Sequence, residues 1–328
     1  MPRIIALFAA LLSTAAVAAP DYHVAGSISG PDGSWDYARV DPAAHKLYVA
    51  RANAVTVVDL ASGAAASIGE IQRGHAVVPL PGGHLLVTSG TDGTVRFFGT
   101  DGKQIASIAV GKKPDAAILD DSGKRAFVMN SDSGTVSVID TVAMKVAQTI
   151  TVKPALEFAA FAGGALFIND EDANEIEVAD VATGKLGKPI ALTGCEGPTG
   201  LGYDAKHGRL ISACANGKAA VVDAKARKLL ALVDIGKGPD AVIVDEARGL
   251  AFVPCGRDGV LDILSLASSK DVTRVGRITT EAGARTGALD PTTGIIYLPT
   301  AAFGAPAQPG GRPAPTPGSF HIVVVKPS

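Results

Sequence analysis

The sequence contains 328 residues, of which 47% are hydrophobic and only 5% aromatic, and its formal net charge is −2. A nearly neutral chain has no overall positive field that could hold a phosphate backbone, so the composition argues against nucleic acid as a partner. The length leaves the number of domains open, because an all-β closed fold of this size is often one domain.

The N-terminus has the three parts of a secretory signal peptide. Arg3 supplies the positive charge, Ile4 to Leu12 form a short apolar stretch, and Ala16-Val17-Ala18 is a small-x-small cleavage site. The apolar stretch is shorter than the roughly 20 residues that a membrane-spanning helix needs. We therefore predict a signal peptide at 1–18, a single mature domain at 19–328 without a membrane span, and a periplasmic or secreted location.

Seven imperfect repeats of about 40 residues follow the signal peptide. Each repeat contains a first strand that ends at one recurrent position, which is Asp in five of the seven repeats. In chain order these end positions are Asp41, Leu80, Asp120, Ala162, Asp204, Asp245 and Asp290.

Each end position is followed by a polar turn and an apolar strand, such as KLYVA at 46–50. A third strand with period-two alternation follows in most repeats, as in TVSVI at 135–139, and several repeats show a fourth strand. Four short strands per repeat are typical of a propeller blade. The fold class predicted from these repeats is all-β, a seven-bladed β-propeller with four-stranded blades.

The two ends of the chain predict how the ring closes. The last repeat has three strands before the chain stops, whereas a spare strand from His23 to Ser29 precedes the first repeat. If the spare strand joins the last blade, it supplies the missing fourth strand and covers an exposed sheet edge.

Two sets of segments resemble a known family. The segment AFVMNSDSGTVSVIDTVAMKVAQTITV at 126–152 resembles the YVTN repeat. The segments CEGPTG at 195–200, GARTGALDPTTGIIYLPTAAFG at 283–304 and PGSF at 317–320 resemble the exported YncE-like proteins. The resemblance implies a periplasmic seven-bladed propeller, and it implies no particular reaction.

The candidate site is a ring of residues at one mouth of the central channel. In a propeller the first strand of each blade lines the channel, so the residue five before each end position lies at the mouth. These residues are Asp36, His75, Asp115, Glu157, Thr199, Asp240 and Arg285. Six of the seven can carry charge, although only 19% of the chain is Asp, Glu, Lys or Arg.

Two interpretations of this ring stay open. The alternating charges could form a neutralising network that fastens neighbouring blades. Alternatively, they could bind a small molecule or a cation, because Asp115 and Glu157 lie on adjacent blades and at least one of them lacks a fixed basic partner. A divalent cation is one candidate ligand, and the sequence names no cofactor.

A long segment rich in Pro and Gly, from Ala301 to Gly318, joins the second and third strands of the last blade on the same face. It could serve as a lid, form a contact surface or be disordered.

The cysteines predict one disulfide. Cys195 precedes the first strand of the fifth blade and Cys214 ends the second strand, so antiparallel pairing brings them together. Cys255, one blade later, is either free or a competitor for Cys195.

The sequence contains no G-x-S-x-G, H-E-x-x-H or P-loop motif, so it names no catalytic residue and leaves enzymatic activity undecided. Our first interpretation is a non-catalytic module that binds a small molecule, a cation or a cell-envelope protein at the channel mouth. The alternative is a metal-assisted hydrolase of the lactonase type that uses the same central site, with Asn130 and Asn169 as additional ligands.

Overall fold

A computed structural model of the protein describes residues 21–305 and 314–328. Every regular element in these two ranges is a β-strand, and none of their segments forms a helix that could cross a membrane. The predicted signal peptide at 1–18 lies outside the described residues.

The strands form seven antiparallel sheets of four strands each, as the repeats predicted. Numbered in chain order, the innermost strands of the seven blades are β2 (Trp35–Asp41), β6 (Gly74–Pro79), β10 (Pro114–Leu119), β14 (Leu156–Ala162), β18 (Pro198–Asp204), β22 (Ile243–Asp245) and β26 (Ala288–Leu289). The second strands are β3 (Lys46–Arg51), β7 (Leu85–Ser89), β11 (Arg125–Asn130), β15 (Ala165–Asp170), β19 (Arg209–Cys214), β23 (Leu250–Cys255) and β27 (Ile296–Thr300).

The third strands are β4 (Val55–Asp59), β8 (Thr94–Phe98), β12 (Thr135–Asp140), β16 (Glu175–Asp180), β20 (Lys218–Asp223), β24 (Val260–Ser265) and β28 (His321–Pro327). The outermost strands are β5 (Ala65–Ile68), β9 (Gln104–Ala109), β13 (Lys145–Thr151), β17 (Ile190–Ala191), β21 (Lys228–Asp234), β25 (Thr273–Thr279) and β1 (Tyr22–Ser29). Each innermost strand neighbours that of the next blade, and β26 neighbours β2, so the seven blades surround one axis.

Aspartates at strand ends explain why the repeats are visible in the sequence. The Oδ1 atom of Asp41 accepts hydrogen bonds from the backbone N–H groups of Ala43 and Ala44, at 3.0 and 3.1 Å. Asp140 makes the same bonds to Val142 and Ala143 after a third strand. A short carboxylate that caps its own turn reverses the chain within a few residues, so Asp recurs wherever a blade needs a tight turn.

The ring closes as predicted. β1 runs antiparallel to β28, with Tyr22 opposite Pro327 and Ser29 opposite His321, and it is the fourth strand of the last blade. The observed strand begins one residue earlier than the predicted His23–Ser29. Without β1, the backbone groups of β28 would form an unpaired outer edge.

The core lies between the faces of neighbouring blades, and small aliphatic residues dominate it. Ala126, Val136 and Leu166 are fully buried, and large aromatic residues such as Phe97 and Phe127 are few. Aliphatic strands with period-two patterning can stack closely, which accounts for a large core in a chain with few aromatic residues.

The two ends of the Pro/Gly-rich segment pair with each other. Phe303 bridges to Pro315, and the N–H of Gly304 donates to the carbonyl of Ala314 at 3.1 Å. Phe303 also lies 6.2 Å from the ring of Trp35, at the start of β2. The segment therefore leaves and re-enters the fold at the predicted channel face, and its residues 306–313 lie outside the described residues.

Ring closure gives the first testable prediction. A chain that starts at Gly30 lacks β1, and we expect it to lose cooperative thermal unfolding or to aggregate, because β28 then has a free edge. A chain that starts at Asp21 keeps β1 and is the matched control. Circular dichroism melting with light scattering compares the two, and equal melting temperatures would contradict the role assigned to β1.

Candidate functional site

The first residues of the innermost strands meet at one end of the axis. Asp36, His75, Asp115, Glu157 and Thr199 are each the second residue of their innermost strand. In the last two blades the innermost strands are shorter, and Asp240 and Arg285 precede them. The backbone N–H of Asp240 donates to the carbonyl of Arg285 at 3.1 Å, which holds these two residues at the same level.

Six of the predicted residues form one cluster, which we call the acidic well. Its members are Asp36, His75, Asp115, Glu157, Asp240 and Arg285, and direct contacts or electrostatic effects on their pKa values connect them. The well therefore combines four carboxyl groups with one guanidinium and one imidazole.

His75 connects two carboxyl groups of the well. Its Nδ1 lies 2.7 Å from Oδ2 of Asp36 and 3.6 Å from Oδ1 of Asp115. Burial opposes a charge on the imidazole, but the hydrogen bond to Asp36 and the two neighbouring carboxylates outweigh it and raise the pKa of His75. A protonated His75 therefore neutralises part of the negative charge, as the blade-fastening interpretation requires.

Arg285 performs the same function on the other side of the well. Its Nε donates to Oδ2 of Asp240 at 2.8 Å, and one of its terminal nitrogens lies 4.0 Å from Oδ1 of Asp36. Burial raises the pKa of Asp240 to about 6, although the nearby Arg285 acts in the opposite direction. These contacts tie the sixth, seventh and first blades together.

Asp115 has a basic partner from outside the predicted ring. The Nζ of Lys113 lies 3.5 Å from its Oδ2 atom. Burial nevertheless raises the pKa of Asp115, and the charges of His75 and Lys113 only partly compensate for it.

Glu157 differs from the other carboxyl groups because it has no ion-pair or hydrogen-bond partner among residues 21–305 and 314–328. Burial, followed by repulsion from Asp115, Asp240 and Glu171, raises the pKa of Glu157 to about 9, against a smaller opposing effect of Lys113. The group is therefore protonated at neutral pH unless a cation replaces the proton. The sequence predicted a carboxyl group without a fixed partner in this place.

Tyr37 forms the floor of the acidic well, and the sequence analysis missed it. Its side chain is only 4% exposed, and its hydroxyl has no hydrogen-bond partner in the described part of the chain. Burial and then the four carboxyl groups of the well raise the pKa of Tyr37 well above its ordinary value. The hydroxyl oxygen itself is not fully buried, so a ligand can reach it.

Tyr37 and Phe158 together block the channel below the well. Their ring centroids are 5.1 Å apart, although the residues belong to the first and fourth blades. The sequence contains a signal for this plug in the residue that follows each ring position. That residue is small in five blades and aromatic in two, in chain order Tyr37, Ala76, Ala116, Phe158, Gly200, Ala241 and Thr286.

Thr199 lies at the same level but uses its hydroxyl within the fold. Its Oγ1 donates to the carbonyl of Pro239 in the next blade at 2.9 Å. Thr286 bonds in the same way to the carbonyl of Asp36, also at 2.9 Å. These threonines fasten neighbouring blades, so we do not include Thr199 in the acidic well.

The two asparagines considered as additional metal ligands also point into the fold. The amide nitrogen of Asn130 donates to Thr135 and Ser137 within its own blade. The amide nitrogen of Asn169 donates to the carbonyls of Thr199 and Gly200. Both side chains stabilise the sheets and neither belongs to the well.

A second group of acidic residues lies in the fourth blade, and a lysine side chain pairs with it. Asp170, Glu175 and Glu177 have carboxylate oxygens within 4.8 Å of one another. The Nζ of Lys153 lies 2.5 Å from Glu175 and 2.7 Å from Glu177. The lysine pairs directly with these carboxylates, whereas Glu157 has no ion pair with any residue that the structure describes.

The predicted disulfide is present. Cys195 and Cys214 are bonded, with their Cα atoms 5.4 Å apart. Cys255 is a free, buried thiol, and burial with the nearby Asp262 raises its pKa, so it is unreactive. A disulfide is typical of proteins in oxidising compartments.

Comparisons with known proteins define the class of the chain and nothing finer. No protein-family model matches the sequence, and none of the curated proteins matches it. A chain of the Kuenenia stuttgartiensis hydrazine synthase superposes with a TM-score of 0.70 at 17% identity, covering 84% of this chain and 95% of that one. A chain from the crystal structure of the mitotic checkpoint complex gives 0.76 at 15% identity, covering 99% of this chain and 98% of that one.

Such low identities show a shared fold and transfer no site or activity. The protein is a seven-bladed β-propeller, a fold that many binding and interaction modules use.

The unusual pKa of Glu157 predicts a pH-dependent stability. Between its ordinary value of 4.5 and about 9, the unfolded chain loses the proton while the folded chain keeps it. The free energy of unfolding therefore falls with rising pH in this window. Because the Glu157→Gln variant has no proton to lose, we expect it to be more stable than the unchanged protein by roughly 1–3 kcal/mol at pH 8, and nearly equal at pH 4.5.

Urea unfolding at several pH values measures this difference. Glu196→Gln, at an exposed position in the loop before β18, is the matched control and should follow the unchanged protein. If the curves of Glu157→Gln and the unchanged protein run parallel from pH 4.5 to 9, the assignment of a raised pKa to Glu157 is wrong.

Proposed function

We propose that this propeller is a non-catalytic binding module that holds a positively charged ligand in the acidic well. The observation that carries the proposal is Glu157, a carboxyl group beside three others with no basic partner in the described part of the chain. Blade fastening explains the pairs His75–Asp36 and Arg285–Asp240, but it does not explain why a fourth carboxyl group lies among them unpaired.

The floor of the well supports the same ligand class. The Tyr37 hydroxyl has free hydrogen-bonding capacity, and the aromatic rings of Tyr37 and Phe158 offer apolar surface below the carboxyl groups. Carboxylates with an oxygen donor suit a hard metal cation, and carboxylates with aromatic rings suit an organic ammonium. Both are cations, and binding of either would replace the proton on Glu157.

Export to the periplasm and membership of the YncE-like family belong to this proposal as well. The signal-peptide pattern at 1–18 and the disulfide support export, and the repeat segments support the family. A cell-envelope protein that presents a basic side chain would satisfy the same well.

Thermal shift measurements on residues 21–328 at pH 8 test the proposal, with CaCl2, MnCl2 and putrescine as probes. We expect at least one probe to raise the melting temperature by roughly 3–8 °C at a hundredfold excess over its Kd. Glu157→Gln should abolish the shift, whereas the matched control Glu196→Gln should keep it. If no probe shifts the melting temperature, or if Glu157→Gln keeps the shift, the proposal fails.

Proton release distinguishes binding in the well from binding elsewhere. Calorimetric titration in two buffers with different ionisation enthalpies should show about one proton released per ligand at pH 7, because the cation replaces the proton on Glu157. A ligand that binds without releasing a proton does not occupy the well.

A second candidate, a metal-assisted hydrolase of the lactonase type, is supported by one observation. Asp36, His75 and Asp115 have potential ligand atoms within 4.8 Å of one another, so a divalent ion held there could polarise a lactone carbonyl. Turnover of a lactone panel with MnCl2 that EDTA and Asp115→Asn both abolish would establish this activity. Cation binding without turnover would exclude the hydrolase and support the binding module.

A further inference from the structure

The opposite end of the channel contains an open cavity with one basic residue, Arg39, among its described lining residues, and Arg39 has no acidic partner in the described part of the chain. The cavity has a volume of about 750 Å³ and lies between the first three blades, where the innermost strands end and turn outwards. Its lining is mainly apolar and includes Pro42, Val78, Leu80, Ile118 and Leu119, together with the basic residue Arg39. A neighbouring cavity of about 320 Å³ shares Arg39 and extends to Phe158.

Arg39 belongs to β2, three residues or roughly 10 Å beyond Asp36 along the strand. Its guanidinium carbon lies 5.2 Å from the ring centroid of Phe158, on the side of the plug away from the acidic well. The two ends of the channel are therefore separate sites with aromatic side chains between them.

The guanidinium of Arg39 has almost no internal partners. Within the described residues it forms no ion pair, and its one hydrogen bond runs from a terminal nitrogen to the carbonyl of Ala38 at 3.3 Å. Asp41 also lines the cavity, but its Oδ1 accepts two backbone N–H groups of its own turn. Burial lowers the pKa of Arg39, in keeping with the small number of its partners.

Arg39 is partly buried, whereas the fully buried arginines Arg51 and Arg209 are compensated. Arg209 lies 2.7 Å from a carboxylate oxygen of Asp204. Arg51 stacks on Phe320 and donates three hydrogen bonds, two of them to backbone carbonyls. Arg39 differs from both because it lies near an aromatic ring but leaves most of its N–H donors unused.

We propose that this cavity binds a small organic monocarboxylate, whose carboxylate pairs with Arg39 and whose apolar body lies against Val78, Leu80 and Ile118. A guanidinium carries several N–H donors in a planar fork, and this geometry matches the two oxygens of a carboxylate. The cavity volume is within the range of small-molecule sites, and a mostly apolar lining with one charged group is typical of them.

The charges of the lining restrict the ligand to a monoanion with an apolar body. Arg39 is the only basic residue in either cavity, and Asp41 would repel a second negative charge. A phosphate or a nucleic acid would need further cations and would leave the apolar walls uncovered.

Calorimetric titration of residues 21–328 with sodium octanoate tests the proposal. Octanamide and octylammonium match its chain length without the negative charge, and inorganic phosphate has the charge without the chain. We expect octanoate to bind at least tenfold more tightly than each of the three. Equal binding of octanamide or of phosphate would overturn the proposal, as would the absence of octanoate binding up to about 5 mM.

Variants locate the binding in the cavity. Arg39→Met keeps the packing of the side-chain stem and removes the charge, and we expect octanoate binding to weaken at least tenfold. Arg125→Met is the matched control, because Arg125 also lies over a phenylalanine, Phe161, but is paired with Asp120. Its octanoate affinity should be unchanged.

If Arg39→Met does not fold, Ala44→Asp adds a carboxylate at an exposed position of the cavity lining, and its negative charge should weaken octanoate binding. If the variant binds octanoate as tightly as the unchanged protein, the proposed site is wrong. The thermal shift by cations in the acidic well does not depend on Arg39 and should persist, so the two proposals fail separately.

Discussion

The antiparallel pairing of β1 with β28 is the constraint on which the remainder of the structure depends. The N-terminal strand supplies the fourth strand of a blade whose other three strands come from the C-terminus. Once the ring is closed, residues separated by 40 or more positions meet at one axis, as Asp36 and Arg285 do. The acidic well depends on this closure, because its contacts join the first blade to the sixth and seventh.

The axis has opposite electrostatic character at its two ends. Asp36 and Arg39 lie three residues apart on β2, yet the first contributes to a group of four carboxyl groups and the second is an unpaired cation in an apolar cavity. Tyr37 and Phe158 lie between them, with ring centroids 5.1 Å apart. A partly buried charge without a partner is costly, and a ligand of opposite sign would remove the cost.

Fastening and binding are compatible functions for the same residues. The pairs His75–Asp36 and Arg285–Asp240 join neighbouring blades, and threonine hydroxyls such as that of Thr199 do so through backbone carbonyls. These contacts hold the carboxyl groups in fixed positions before any ligand arrives. A preformed site of this kind loses little conformational entropy on binding.

The sequence by itself determined the number of blades, the strands within them and the strand that closes the ring. It also determined the disulfide and the equivalent position in each blade that lies at the channel mouth. It could do so because strand patterning and turn aspartates are local signals that recur with a regular spacing. Only the tertiary structure decided which side chains pair, that Thr199 is used internally, that Glu157 is unpaired, and that the acidic well and Arg39 lie at opposite ends of the channel. These properties arise from distances between blades far apart in the chain, and no local pattern encodes such distances.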